Sequence, residues 1–279
     1  MDLRPSPIAG QWYPGDAPTL GAEVDSHLGA AGAVRADGAV VALLAPHAGY
    51  RYSGAVAGRA FAAAQGLAPE VVAIVGPMHY PHEGAVLISG HGAYQTPLGS
   101  VTIARETCRV LDDALRQELG AGLTPVRSDP EHSVEIELPF LQRALPEEWR
   151  LLPVMVSDQR REVARALGLA LARALRGRAA LLVASTDLSH YHPQMFANRL
   201  DRELLRRVEA FDPDAILRAV EEGAGEACGI GALAAVLWAA RELGADRVRV
   251  LDYKTSGDVT GDVARVVGYA AGVVTRVAT

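Results

Sequence analysis

The sequence predicts a three-layer α/β/α sandwich around a mixed, largely parallel sheet, formed by one domain over residues 1–279. Three observations predict it. Short apolar runs rich in Val, Ile and Leu recur along the chain, and most are near-continuous, as in strands covered on both faces. Segments with helical periodicity separate them, which is the alternation of an α/β fold. No Pro/Gly/Ser-rich linker, internal repeat or low-complexity tract divides the chain.

The apolar runs are AVVALLA (39–45), VVAIV (71–75), AVLI (85–88), RLLPVMV (150–156), AALLVAS (179–185), RVRVLDY (247–253) and VARVVGYAAGVV (263–274). Helical patterns fall at 55–65, 106–119, 130–144, 160–175, 196–210, 213–222 and 231–243. Asp212 before Pro213 reads as an N-cap followed by proline at the first helical position, and Asp129 before Pro130 repeats the signal. The Gly- and Pro-punctuated stretch from Val86 to Ile103 reads as a hairpin.

Composition narrows the function classes. Of 279 residues 49% are apolar and 22% charged, enough for a large core and unlike a disordered chain. The net charge is −6 and no block of Lys or Arg stands out. The arginines from Arg160 to Arg178 alternate with Ala and Leu, as on a solvated helix face, so no nucleic-acid partner is expected. Cys108 and Cys228 are too few and too far apart for a disulfide framework. No basic-plus-apolar signal opens the chain and no apolar run reaches membrane-spanning length, so the expected location is the cytoplasm, with no membrane association.

One pattern points to chemistry. VVALLA runs into PHAGYRYSG, placing His47 just past a strand, with Tyr50 as a pocket candidate beside it. VVAIVG runs into PMHYPH, placing His79 past another. ALLVAS runs into TDLSHYHP, placing Asp187 and His190 past a third. Ligands in open α/β sheets bind outside the carboxyl ends of the strands. If these strands are parallel neighbours, the three loops meet in one crevice. Cys228, in ACGIGALAAVLW, opens a long helix, where a thiol pKa is lowered and a metal-binding thiolate is favoured. Gly229 and Gly231 allow backbone to approach a ligand there. Two imidazoles, a thiolate and a nearby carboxylate suit a transition metal with open positions.

Each residue also has a plainer reading. A single histidine after a strand is ordinarily a loop residue satisfied by backbone, and a lone cysteine is ordinarily a small buried hydrophobe, the reading given to Cys108. Asp187 can orient a histidine instead of binding metal. His132, in DPEHSVEIELPF, falls in the first turn of a helix, as a cap or pointing at the site. His192 precedes a proline and is a supporting candidate. His27, His82 and His91 read as exposed. Trp12 and Tyr13 are too aromatic for a free N-terminal tail and read as packed on the domain, as a pocket wall. KTSGDVTGD (254–262) reads as a tight turn, its two aspartates arguing against a phosphate cradle.

The segments SPIAGQWYP, APHAGYRYSG, VGPMHY, EHSVEIELPF, STDLSHYH and CGIGA, in this order, resemble the Memo family, whose bacterial members are also called AmmeMemoRadiSam system protein B. The resemblance covers nearly the whole chain. It implies a fold like that of the class III non-haem iron extradiol dioxygenases, of the protocatechuate 4,5-dioxygenase B-subunit type. It implies a metal site of His47, His79 and Cys228, with Asp187 and His190 beside it. Extradiol dioxygenases carry a carboxylate as third ligand; Cys228 at that place softens the site. Fe(II) or Cu is the implied cofactor, with Zn also compatible. The family also implies association with an AMMECR-type protein and a radical SAM enzyme, although this chain has no CxxxCxxC cluster, and in animals with phosphotyrosine peptides. Glu137 and Tyr80 stand where some relatives carry histidine.

Three functions follow as expectations. The leading one is a metal-dependent oxidoreductase, dioxygenase-like, in which His190, oriented by Asp187, moves protons to and from a small-molecule ligand. The second is a Zn-dependent hydrolase on the same ligands. The third is a catalytically silent module that recognises a peptide or partner protein.

Overall fold

The computed structural model describes residues 2–32, 34–127, 129–146 and 148–277. Its strands are β1 (Leu3–Arg4), β2 (Ala39–Ala45), β3 (Val71–Pro77), β4 (Val86–Ser89), β5 (Ala93–Thr96), β6 (Gly99–Thr102), β7 (Thr124–Val126), β8 (Arg150–Val156), β9 (Ala180–Ser185), β10 (His190–His192), β11 (Arg247–Thr255) and β12 (Val266–Arg276). Its helices are α1 (Ala17–Ala31), α2 (Tyr50–Ala62), α3 (Arg105–Leu119), α4 (Leu138–Ala144), α5 (Arg161–Leu175), α6 (Gln194–Glu209), α7 (Pro213–Glu221), α8 (Ile230–Glu242) and α9 (Ser256–Thr260).

At the centre of the main sheet β2, β9, β3 and β8 lie side by side, all parallel. Every residue of β3 is buried. That explains the continuous apolar runs, because both faces of these strands meet side chains and neither meets water. The flanks turn antiparallel: β12 pairs with β2 and β11 with β12 on one side, and β4 pairs with β8 on the other, with β7 parallel to β4. The sheet is therefore mixed with a parallel core, and helices cover both faces.

Helix α8 shows why the layers hold. Every residue from Ile230 to Ala240 is buried. A helix apolar all round must be covered all round. It rests on β2, β3 and β9 and is covered by α5 and α7. On the other face α2 lies on β2 and β12 and carries α1 and α4. Among the described residues no helix is long and apolar enough to cross a membrane.

Several local expectations are corrected. The stretch 86–103 divides: β4 joins the main sheet, while β5 and β6 form a hairpin in a separate three-stranded sheet with β1. The helix expected from Pro130 begins only at Leu138, after a 3-10 turn at Glu135–Glu137. Asp129 is no N-cap, because the buried Arg4 takes its carboxylate at 2.8 Å. Asp212 does cap α7, accepting from the Ala215 amide. The chain 254–262 contains the short helix α9, opened by a Thr255/Asp258 capping box. Helix α1 had no counterpart among the expected helices, although Leu20, Val24, Leu28 and Ala31 form its buried stripe behind the Asp16 cap. His91 is buried against Asp2 and His27 packs on Tyr50 and Phe140, so neither is a free surface histidine.

A close helix contact gives the first prediction. A Cβ on Gly168 of α5 would meet Trp238 Cβ of α8 at 2.6 Å and the Ala235 carbonyl at 2.8 Å. Gly to Ala in an open helix position stabilises by about 1 kcal/mol. Here the sign reverses: Gly168→Ala is expected to lower the urea midpoint, and a raised midpoint would refute close α5–α8 packing.

Candidate metal centre

The parallel core decides where the histidines go. β2, β9 and β3 are adjacent and end together, so the loops after Ala45, Ser185 and Pro77 open on the same side of the sheet. They bound a cleft of about 590 Å³ lined by His47, His79, Asp187, His190 and Cys228. Trp12, Tyr52, Tyr191 and Tyr269 add aromatic walls.

At its floor His47, His79 and His132 each offer a ring nitrogen, and these atoms lie within 4.8 Å of one another. The rings of His79 and His132 stack at 4.7 Å, while His47 stands edge-on to both. His132 comes from the loop before the Glu135–Glu137 turn, so it points at the site rather than capping a helix. Cys228 stands outside this set of three, with Sγ 3.1 Å from His47 Nε2.

Hydrogen bonding assigns the tautomers. Ser185 Oγ donates to the Ser133 carbonyl at 2.6 Å, which leaves it an acceptor for His47 Nδ1 at 3.0 Å. His79 Nδ1 donates to Glu131 Oε1 at 2.9 Å. With the proton on Nδ1 in both rings, Nε2 of each carries the lone pair that a metal ligand needs, and that of His47 accepts from the Cys228 thiol.

Glu131 is the residue that sequence reasoning missed. Its carboxylate also takes the backbone amides of His79, His132 and Ser133. Burial acts to raise its pKa, but hydrogen bonds from the His79 ring and backbone, with the neighbouring His132 ring, hold it down at about 2. Its place next to His132 in DPEHS was the available signal. Ser185, which ends β9, and Tyr52 were missed as well.

The other expected residues divide. Asp187 does not orient His190. Its Oδ1 accepts from the His47 amide at 2.8 Å, and His190 hydrogen-bonds the Leu188 backbone instead. Burial pushes the Asp187 carboxyl up to about 7, against hydrogen bonds from the His47 and Ala48 backbone. His192 Nε2 pairs with Glu226 at 2.9 Å, away from the lining. Tyr50 turns into the core, its hydroxyl on the Ile136 carbonyl. Tyr52 takes the wall position, because residues two apart on a helix face different ways. Trp12 covers His132 at 4.1 Å, and Tyr13 is buried with its hydroxyl on Glu135. Glu137 is buried, its acid form favoured by loss of solvent.

Cys228 corrects two expectations. Its thiol is pushed up to about 12, first by burial and then by Asp187, so the start of α8 does not make it a thiolate. The glycines beside it admit backbone and side chains, not a ligand. A Cβ on Gly229 would meet the Ser185 carbonyl at 2.8 Å, and one on Gly231 would meet Gln159 Cα at 2.8 Å.

A family model described as Memo-like protein matches residues 4–273. Relatives each named a MEMO1 family protein include one from Nitrosopumilus maritimus, 32% identical and covering 96% of this chain and 98% of its own. One from Methanopyrus kandleri is 36% identical, covering 97% and 98%. One from Methanothermobacter thermautotrophicus is 37% identical, covering 97% and 99%.

The buried imidazoles yield a pH prediction for the metal-free protein. Burial lowers the His132 pKa from 6.5 to about 4, offset in part by Glu131. The unfolded chain binds that proton near pH 6.5 and the folded chain does not. This group therefore costs stability as pH falls from 6.5 towards 4, and costs nothing above 6.5. The His132 ring resonance is expected to titrate with a midpoint near 4; a midpoint near 6.5 would contradict the buried placement.

Proposed function

The chain belongs to the Memo family, and from that premise we propose that it binds one iron or copper ion through His47, His79 and His132 and uses it for redox chemistry on a small molecule held in the cleft. The observation that carries this reading is the convergence of three ring nitrogens within 4.8 Å at the floor of an open cleft. Neutral imidazole donors suit Fe, Cu and Zn, and a site open on one side leaves room for a substrate.

Such a metal, when bound, supplies an open coordination position and one-electron chemistry. The remaining work falls to side chains. Ser185 and Glu131 hold the Nδ1 protons of His47 and His79, so each ring can present a lone pair. Cys228 is a further donor on the His47 side. Its thiol shares a hydrogen bond with His47 Nε2, and it would bind a metal there only as the thiolate. Asp187, with a pKa of about 7, can take or return a proton near neutrality at the cleft wall. His190, on the same wall, is kept neutral by burial and is the second proton carrier. The aromatic walls displace water from a ligand lying against them.

Metal analysis of protein purified without oxygen or a chelating tag tests the reading. Near-stoichiometric iron or copper is expected in the wild type, with much less retained by His132→Ala at unchanged circular dichroism. Stoichiometric zinc would move the reading to hydrolysis, and no metal after reconstitution would leave a binding module. Glu131→Gln keeps the shape but loses the charge that holds His79. A 10- to 100-fold weaker metal affinity is expected from it, on the order found for partners of ligating histidines. Unchanged affinity would show that Glu131 does not support the ligands.

A further inference from the structure

Arg4 carries a full charge and is 1% exposed. Its Nε and Nη2 meet the two Asp129 carboxylate oxygens at 3.1 and 2.8 Å. Nη1 reaches Glu135 Oε2 at 2.5 Å. Nη2 also donates to the backbone carbonyls of Asp129, at 3.2 Å, and of Glu131, at 2.6 Å. Glu135 is closed from its other side by the Tyr13 hydroxyl at 2.7 Å and by Ser6. Arg4 is itself fixed by pairing with Tyr94 in β5, and its guanidinium lies 4.7 Å over the Tyr94 ring.

These contacts grip both ends of one loop. Residues 129–134 belong to no helix or strand, so side chains must hold them. Between the gripped ends lie Glu131, whose carboxylate holds His79, and His132, whose ring lies under Trp12. The N-terminal segment thus reaches the loop at three places: through Arg4, through Ser6 and Tyr13, and through Trp12.

We propose that Arg4 is a positioning residue for the histidine centre: its guanidinium fork fixes the 129–135 loop and so sets the place of the His132 ring and the Glu131 carboxylate. A lysine keeps the charge but cannot replace the fork, because an ammonium is a point donor without fixed geometry. The consequence for metal affinity rests on the reading above; the placement of His132 does not.

The test compares Zn²⁺ affinity, by competition with a chromophoric chelator, in the wild type, Arg4→Lys, His132→Ala and the double variant. Arg4→Lys is expected to weaken Zn²⁺ binding about 10- to 100-fold. The share of that loss that passes through the His132 ring is expected to vanish in the His132→Ala background, because residues acting through one group are not additive. Losses that multiply in full would overturn the proposal. If Arg4→Lys does not fold, Tyr13→Phe takes its place, with the same pattern at smaller size and the same overturning result. If the wild type binds no Zn²⁺, the inference is read by NMR. The Trp12 ring current displaces the His132 ring protons; Arg4→Lys or Tyr13→Phe must move these resonances, and unmoved resonances would overturn it.

Discussion

Glu131 is shut off from solvent as a charged group, and what keeps it charged also builds the site. Its two oxygens receive the His79 ring at 2.9 Å and the amides of His79, His132 and Ser133 at 2.6, 2.9 and 2.8 Å. An unpaired buried carboxylate would take up a proton, whereas one ringed by donors stays ionised. The same bonds draw the loop after β3 against the 129–135 loop and leave two histidines stacked. Ser133 continues the seam, with its hydroxyl on the Pro77 carbonyl and its own carbonyl on Ser185. A Cβ at Gly76 would meet Ser133 Oγ at 2.7 Å, so β3 must be bare where the loop crosses it.

This polar seam stands on an apolar frame. The parallel strands β2, β9 and β3 bring three chain segments, far apart in sequence, to one edge. Helix α8 brings Cys228 to the same edge, held by Gln159, which binds the Cys228 carbonyl and the Gly231 amide. Close packing along α8 leaves the frame little freedom to drift. Function therefore sits on loops, but each loop is anchored by a strand end or a buried ion pair.

Much of the frame was legible in the sequence. The runs 39–45 and 150–156 match β2 and β8 residue for residue, because a strand buried on both faces writes itself as unbroken apolar sequence. The meeting of the His47, His79 and Asp187 loops followed from the rule about strand ends. What stayed hidden depends on long-range contact. Nothing local to DPEHS says that His132 faces His47, 85 positions away; Arg4, 125 positions from Asp129, decides that. Cys228 shows two effects in competition, and desolvation, with the Asp187 carboxyl beside the sulfur, outweighs the helix terminus. Tyr52 takes the wall expected of Tyr50 because α2 starts at Tyr50, a boundary that composition does not mark.

X-ray absorption of the metal-loaded protein tests the central claim most directly, since it reads the atoms next to the metal without reference to activity. The account predicts the multiple-scattering signature of three imidazoles, with nitrogen at about 2.0–2.1 Å where zinc is the ion. A shell of oxygen atoms, or a single imidazole, would contradict it and leave the three histidines as a stacked cluster without a metal.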